Sequence, residues 1–317
     1  MLIRRKYWET VIKIESFYEV SNILFRATPS VTEFEAAIPG DGSNERNSRY
    51  NGGMSKASRQ HAPRKRFGQN FLTDDSVIGG IASAIASRES DHIVEIGPGQ
   101  GALTEALVSS GCQLDVIELD RDLIAGLLAA FSIHKGFKLH SADALKFDFA
   151  SLIEGLGKLR IVGNLPYNIS TPLIFKLLEN AAIIEDMHFM LQLEVVERLA
   201  AQPGSKTWGR LGIMTQYQCE VEHLFDVPPE AFNPPPKVQS AIVRLKPYQQ
   251  SPWPACNENQ LRKVVQTAFA QRRKTLRNNL KGMIDSDGLE SLGIDPAARA
   301  ETLQLTQFIT ITNAIHA

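Results

Sequence analysis

The feature that most constrains the fold of this chain is a short apolar run that stops in a polar turn. Residues 159–162 read Leu-Arg-Ile-Val, three of them aliphatic, and residues 163–171 then read Gly-Asn-Leu-Pro-Tyr-Asn-Ile-Ser-Thr. A short aliphatic run is typical of a buried strand, and Pro166 cannot continue a strand ladder. The pattern therefore predicts an amide, Asn164, and an aromatic ring, Tyr167, at the carboxyl end of a buried strand. In open α/β sheets, ligands bind at that edge.

This turn suits the methylation of an exocyclic amine on a nucleobase. The lone pair of adenine N6 is conjugated with the ring, so the amine is planar and a poor nucleophile. The Asn164 side-chain oxygen and the Leu165 carbonyl would accept its hydrogens and free the lone pair, while Tyr167 stacks on a flipped base. A plainer interpretation is a strand-ending turn with a rim aromatic. The motif alone leaves both interpretations open.

A glycine-rich turn precedes this motif. Residues 92–96 predict a strand, and residues 97–101, Gly-Pro-Gly-Gln-Gly, open a helix. Glycines between a strand and a helix let a ligand approach the backbone closely. The G-x-G-x-G spacing differs from that of dinucleotide folds, and it suits S-adenosylmethionine, whose cationic end needs no pyrophosphate pocket. Gly97 and Gly99 are therefore predicted to line a cofactor site.

Two acids follow the next two predicted strands. Glu118 ends the strand at residues 114–118 and lies 19 residues after Gly99, which suits a carboxylate on ribose hydroxyls. Asp143 follows the strand at residues 137–140 and is placed to accept from an adenine amino group. Each acid alone could be a helix cap or a solvated loop residue. Together with Asn164 they predict a line of polar groups along one edge of one sheet.

A proline-rich loop at residues 228–237 joins two predicted antiparallel strands, residues 221–227 and 238–245, that close the sheet. Its aromatic residue, Phe232, is predicted to face Tyr167 across the base. The alternative is a hydrophobic plug beneath the loop. His188, inside the predicted strand at residues 187–193, is expected to be a satisfied core histidine outside the site.

Composition limits the other possibilities. The net charge is −1, and the three cysteines form no C-x-x-C pair. The sequence contains no stretch of about 18 consecutive apolar residues, the length that a membrane-spanning helix needs. Neither disulfides nor a metal site are expected. Basicity is instead local, in a triplet before the first helix and in residues 261–281, which contain no acid, and it favours phosphate binding over a merely solvated face. The candidate RNA-binding residues are Arg64, Lys65, Arg66, Arg272, Arg273, Lys274 and Arg277.

The chain divides into three predicted parts. Residues 1–61 have a mixed start that runs into a polar tract, and they are predicted to be disordered or a mis-assigned extension, with Met54 as the expected start. A basic mitochondrial leader is the alternative, but acids in the first 20 residues argue against it. Residues 62–250 form the α/β part, and residues 251–317 form a small all-α domain in which Asp295-Pro296 begins a helix.

With these motifs in view, the chain from about residue 64 to 309 closely resembles the ribosomal RNA adenine dimethyltransferase family. The motifs that carry the resemblance are FGQNFL (67–72), EIGPGQG (95–101), IELD (117–120), NLPYNIST (164–171) and FNPPPKV (232–238). The resemblance implies a Rossmann-like, class I S-adenosylmethionine-dependent methyltransferase sheet with a small helical domain. It also implies cofactor contacts at Asn70, Leu72, Gly97, Glu118, Asp143 and Asn164.

The resemblance further implies an activity and a partner. The Leu in Asn-Leu-Pro-Tyr and the Pro-Pro-Pro-Lys loop resemble the corresponding motifs of one bacterial group within the family. Those enzymes dimethylate two adjacent adenosines near the 3′ end of 16S rRNA, within an immature 30S ribosomal subunit. A cytoplasmic monomer with no membrane partner is expected. Two other hypotheses stay open at this point: a ribosome-assembly binding factor whose methylation is dispensable, and a DNA adenine methyltransferase.

Overall fold

The fold is built around one mostly parallel sheet in the part of the chain that the computed structural model describes, residues 70–153 and 157–315. The predicted extension at residues 1–61 and the triplet Arg64, Lys65 and Arg66 lie outside the described residues. The strands are β1 (Phe71–Leu72), β2 (His92–Ile96), β3 (Gln113–Glu118), β4 (Phe137–Ser141), β5 (Leu159–Asn164), β6 (Ile184–Gln192), β7 (Cys219–Val227), β8 (Phe232–Asn233) and β9 (Ser240–Pro247).

The seven long strands have the order β4-β3-β2-β5-β6-β9-β7. Neighbours from β4 to β6 are parallel, whereas β9 is antiparallel to both β6 and β7. The predicted α/β fold class is therefore confirmed, as is the antiparallel pair that closes the sheet. The short strands β1 and β8 form a separate antiparallel ribbon that pairs Leu72 with Phe232.

Helices connect the strands and cover the sheet. They are α1 (Asp75–Ile85), α2 (Ala102–Val108), α3 (Arg121–Phe131), α4 (Ser170–Leu178), α5 (Leu193–Leu199), α6 (Arg210–Gln218), α7 (Glu258–Ala268), α8 (Leu276–Asn279), α9 (Ser286–Ser291) and α10 (Leu305–Ile315). Asp74 caps α1, because its side chain accepts from the backbone N–H groups of Ser76 and Val77. The helix ends at Ile85, since Ala86 is left-handed at φ +48°.

Two apolar cores lie against the two faces of the sheet, because alternate residues of each strand point to opposite faces. One core contains Val94, Ile161 and Phe189, and the other contains Val116 and Val162. The strands between them are buried on both sides, which explains their nearly continuous apolar runs. None of the described helices is both long enough and apolar enough to cross a membrane.

The last part of the described chain is helical, with two differences from the prediction. The acid-free run at residues 261–281 belongs to the predicted all-α domain but is only partly helical. Helix α7 ends at Ala268 and α8 is a single turn at 276–279, so Arg272, Arg273 and Lys274 lie in the connecting turn. The predicted helix start at Asp295-Pro296 is wrong, since these residues form a turn. The boundary predicted at residue 251 stays a prediction.

Candidate active site

One cavity opens where the carboxyl ends of the parallel strands meet. The three strand-end residues Glu118, Asp143 and Asn164 all line it. All other predicted catalytic and cofactor residues line the same cavity, namely Asn70, Leu72, Gly97, Gly99, Leu165, Tyr167 and Phe232. The edge that the sequence pattern marked is thus a concave site, as expected for an open α/β sheet.

The turn after β2 needs glycine at two positions. Gly101 has φ +87°, and a Cβ there would lie 2.5 Å from Cε2 of Phe131. Gly99 has φ +60°, and a Cβ there would lie 3.1 Å from the Phe71 ring. A side chain at either position would be strained by the positive φ and crowded by these rings. Gly99 therefore presents bare backbone to the cavity, and a ligand can approach it closely.

Glu118 is held at the end of β3 by backbone donors. Its Oε1 accepts from the N–H of Asp120 at 2.8 Å, and its Oε2 accepts from the N–H of Gly99 at 3.3 Å. Burial raises the pKa of this carboxyl, and the two backbone donors oppose the rise. The side chain is 6% exposed, so its acceptor oxygens are fixed in position before a ligand arrives. A fixed carboxylate of this kind can bind vicinal hydroxyl groups.

Asp143 follows β4 and is anchored on one side only. Its Oδ1 accepts from the N–H of Leu145 at 2.9 Å, which closes the turn after the strand. The two predicted roles of Asp143, a capping residue and a ligand-binding residue, are therefore compatible. The residue caps its own turn and also lines the cavity.

The orientation of the Asn164 amide is set by a long-range contact. Nδ2 donates to the backbone carbonyl of Asn70 at 3.2 Å. Since the nitrogen is engaged there, Oδ1 is the free acceptor of this amide. The peptide N–H of Leu165 donates to Met190 O at 3.2 Å, which continues the β5–β6 pairing past the strand end. The Asn-Leu-Pro-Tyr turn is therefore held from two sides.

Two aromatic residues flank this amide in the cavity wall. Tyr167 is half-buried and shares a side-chain hydrogen bond with Ser240, while burial raises the pKa of its phenol. Phe232 lines the cavity but is only 5% exposed and belongs to one of the sheet cores. Its ring is thus part of the core and also reaches the cavity, so the two interpretations of this residue are compatible.

Glu95 is a cavity residue to which the sequence pattern gave no role. It is 2% exposed, and its Oε2 accepts from the Thr104 hydroxyl at 2.6 Å. Burial raises the pKa of this carboxyl to about 7, and the charge on Glu118 adds to the rise. An acid in the middle of an otherwise apolar strand was the signal that could have identified it, since buried acids are rare without a function.

His188 also lines the cavity, although the sequence pattern placed it outside the site. The side chain is buried, as expected, at 3% exposure. It is not satisfied, however, because neither ring nitrogen has a hydrogen-bond partner within the described residues. Burial lowers the pKa of the imidazole to about 4, so the ring is neutral at physiological pH.

The basic surface of the C-terminal helices is smaller than the sequence implied. Arg262 pairs with Glu258 at 2.9 Å, and Arg272 pairs with Glu301 at 3.3 Å. Glu258 lies just before the acid-free run, and Glu301 lies well after it in the sequence. Acids from outside the run therefore neutralise two of its positive charges. Within residues 261–281, the exposed cations with no ion pair to another described residue are Lys263, Arg273, Lys274, Arg277 and Lys281.

The chain is similar to proteins whose names describe ribosomal RNA methyltransferases. Over 256 residues the chain is 61% identical to the Ribosomal RNA small subunit methyltransferase A of Pseudomonas aeruginosa, a match that covers 81% of this chain and 96% of that protein. The protein of the same name from Saccharophagus degradans is 58% identical over 255 residues, or 80% of this chain and 95% of that protein.

Two solved structures share the fold at lower identity. The 23S rRNA methyltransferase ErmE is 26% identical, with a TM-score of 0.64. The match covers 78% of this chain and 100% of that one. A dimethyladenosine transferase from Plasmodium falciparum is 26% identical with a TM-score of 0.66, covering 76% of this chain and 95% of that one. Residues 60–317 match the family model described as Ribosomal RNA adenine dimethylase, so the chain belongs to that family.

Proposed function

We propose that this protein transfers two methyl groups to N6 of each of two adjacent adenosines near the 3′ end of 16S rRNA in an immature 30S subunit. The broader activity, dimethylation of ribosomal RNA adenine with S-adenosylmethionine as cofactor, belongs to its family. The observation that carries the proposal is the Asn164 amide. Its nitrogen is tied to Asn70, so its oxygen is free to accept a hydrogen from an exocyclic amine in the cavity.

The cavity residues fit the cofactor chemically. We assign the ribose hydroxyls to the Glu118 carboxylate, which backbone donors hold in place, and the adenine amino group to Asp143. The glycine turn, where Gly99 leaves no room for a side chain, would lie against the methionine part, with Asn70 and Leu72 closing the site. The cofactor supplies an electrophilic methyl group on a cationic sulfur.

The protein's own part in the reaction is to prepare the amine. We assign the two N6 hydrogens to the Asn164 side-chain oxygen and the Leu165 carbonyl, which draw the nitrogen out of conjugation. Tyr167 and Phe232 would hold the base on its two faces. Since the chemistry is a direct displacement, much of the rate enhancement comes from holding the amine in attack geometry.

The exposed cations in and after the α7–α8 turn are assigned to the RNA backbone. Arg273, Lys274 and Arg277 are solvent-exposed and carry no ion pair in the part of the chain that the structure describes. Arg272 contributes less freely, because Glu301 holds it. The triplet at residues 64–66 is assigned the same role from sequence alone. Contacts of this kind position an RNA without reading its sequence. We propose that the protein acts as a monomer in the cytoplasm.

The proposal is tested by methyl transfer from labelled S-adenosylmethionine to immature 30S particles that lack the modification. Mature 50S particles and duplex DNA are assayed in parallel, and the products are digested to nucleosides. We expect dimethyladenosine from the 30S sample alone. Label in the 50S sample would instead indicate a large-subunit enzyme, and label in DNA would indicate a DNA methyltransferase. Particle binding without label in any sample would favour the assembly-factor function.

A further inference from the structure

The cavity continues beyond Asn164 along one face of the sheet. Asn164 on β5 pairs with Met190 on β6, and Met190 pairs with Ile242 on β9. Directly paired residues on neighbouring strands project their side chains to the same face. Met190 and Ile242 are therefore the next side chains along the sheet from the amide. Both line the cavity and are buried, at 4% and 1% exposure.

Three more buried residues complete this inner pocket. They come from α1, β6 and the β8 ribbon, and all line the same cavity. The inner pocket is defined here by Ile81, His188, Met190, Phe232 and Ile242. Four of these five side chains are apolar, and the histidine is the polar member of the set. Glu95 lies on the same face, two strands away in the same row, and also lines the cavity.

His188 lies two residues before Met190 on β6, on the same face of the sheet, and pairs with Val162. Its nearest charged group is Asp186, whose Oδ1 lies 3.8 Å from Nδ1 and already accepts from Arg160 Nε at 2.9 Å. A buried polar group without a partner costs about 1–3 kcal/mol. A polar group facing a cavity recovers that cost by binding water. The inner pocket therefore has apolar walls and one end suited to a displaceable water molecule.

If the protein has the proposed function, its site must hold an amine that already carries one methyl group, and this pocket offers space for that group. In the first transfer, both N6 hydrogens find acceptors at Asn164 and Leu165. In the second transfer, a methyl group has replaced one hydrogen and needs apolar space beside the acceptors. A methyl group is similar in size to a water molecule, which occupies about 30 Å³ in the liquid.

We propose that the inner pocket receives the first N6-methyl group during the second transfer, and that Ile242 and His188 thereby determine whether methylation proceeds from one group to two. The pocket takes no part in bond-making. In the second step a bond forms between N6 and the methyl carbon, and the bond from that carbon to sulfur breaks. Its electron pair stays on sulfur, and the remaining N6 proton leaves to solvent.

The test narrows the pocket from two strands. Ile242→Phe adds bulk from β9, and His188→Phe adds bulk from β6 and removes the polar end. Val243→Leu is the matched control, because Val243 is the next residue of β9 and packs in the core on the opposite face. Each variant is incubated with immature 30S particles and labelled S-adenosylmethionine, and monomethyladenosine and dimethyladenosine are quantified over time.

We expect both pocket variants to raise the ratio of monomethyladenosine to dimethyladenosine at least tenfold, with total first-step label falling less than threefold. The control should keep the wild-type ratio. If either folded pocket variant makes dimethyladenosine in the wild-type ratio, or loses both products equally, the proposal is overturned. Thermal unfolding identifies a variant that fails to fold, and the other variant then decides. Absence of label with the unmodified protein would instead refute the proposed function.

Discussion

The direction of one amide determines what the strand-end motif can do. An asparagine presents either donors or an acceptor, and the contact from Asn164 Nδ2 to Asn70 O selects the acceptor. We expect Asn164→Ala to lower turnover by about 100-fold or more, comparable to the loss of a preorganised polar group in other active sites. Cofactor affinity should weaken only modestly, as measured by titration calorimetry.

Asn168→Ala is the control for that experiment, because it removes an exposed amide from the same turn and the same cavity wall. It reports on any general disturbance of the turn without removing the acceptor. A near wild-type rate for Asn164→Ala would show that the amide does not activate the amine.

Glu118 should affect binding rather than chemistry. Its carboxylate is fixed by the N–H groups of Gly99 and Asp120, so Glu118→Ala removes an organised acceptor from the cofactor site. Hydrogen bonds to charged groups contribute about 1.5–3 kcal/mol, so we expect the cofactor Kd to rise about tenfold or more. Equilibrium binding measures it, with the exposed Glu105→Ala as control. An unchanged Kd would remove Glu118 from the site.

Glu95 makes stability depend on pH. Its folded pKa of about 7 lies above the ordinary value of 4.5 because the carboxyl is buried. A raised pKa favours the folded state below the ordinary value, and that stability is lost as pH rises through the folded value. Each factor of ten in proton affinity is worth about 1.4 kcal/mol, so the loss by pH 8 approaches about 3 kcal/mol.

We therefore expect Glu95→Gln, without cofactor, to match the parent protein near pH 5 and to exceed its free energy of unfolding by about 2–3 kcal/mol at pH 8. Urea unfolding at both pH values measures this difference. Glu105→Gln, an exposed acid on the same helix as Thr104, should show no such difference. Equal gains at pH 5 and pH 8 would mean that the Glu95 charge is not the cause.

At the scale of elements, the strand-end residues were predictable because parallel strands carry their carboxyl ends to one edge. Glu118, Asp143 and Asn164 could be placed together without knowing any contact between them. Helix α1 was predictable for a similar local reason, since Asp74 caps it within three residues. These inferences use only chain direction and short-range hydrogen bonds.

The contacts that sequence reasoning missed join distant parts of the chain. Glu301 lies 29 residues beyond Arg272, so no local pattern shows that it neutralises part of the basic run. The unsatisfied state of His188 is likewise a property of its surroundings in three dimensions, which a strand pattern does not contain. Local patterns place residues on elements, and packing decides which partners remain free.

The basic segment formed by the turn after α7 and by α8 supports a prediction at this scale. Replacing Arg273, Lys274 and Arg277 with Gln together should weaken binding to immature 30S particles. It should also reduce the slope of log affinity against log salt by about 2, because each phosphate contact contributes about 0.7 on single strands. Cofactor affinity should be unchanged. Filter binding across a salt series measures the slope.

A triple replacement at the opposite edge of the sheet is the matched control. It removes the same charge from exposed positions near the amino-terminal ends of the parallel strands, at Lys135, Lys138 and Lys246. An equal loss of slope in both triple variants would show that net charge, rather than the turn, governs binding.

At the scale of the whole molecule, the C-terminal helices share a core with the sheet's own helices. Trp208 and Ile213 pack in one apolar cluster with Leu261 and Phe308. Hydrogen bonds also cross between the two parts, from Trp208 Nε1 to Leu303 O at 2.9 Å and from Tyr217 Oη to Cys256 O at 3.2 Å. The described part of the chain should therefore unfold as one cooperative unit.

Phe308→Ala tests this coupling in the full-length protein. Phe308 is fully buried at 0% exposure, so its truncation should cost about 3–5 kcal/mol, or about 10 °C in Tm for a protein of this size. If the core is shared, the temperature at which helical circular dichroism is lost and the temperature at which cofactor binding is lost should fall by the same amount. Helices that melt early while the cavity binds cofactor up to the parent temperature would show instead that the predicted domain at residues 251–317 folds independently of the sheet.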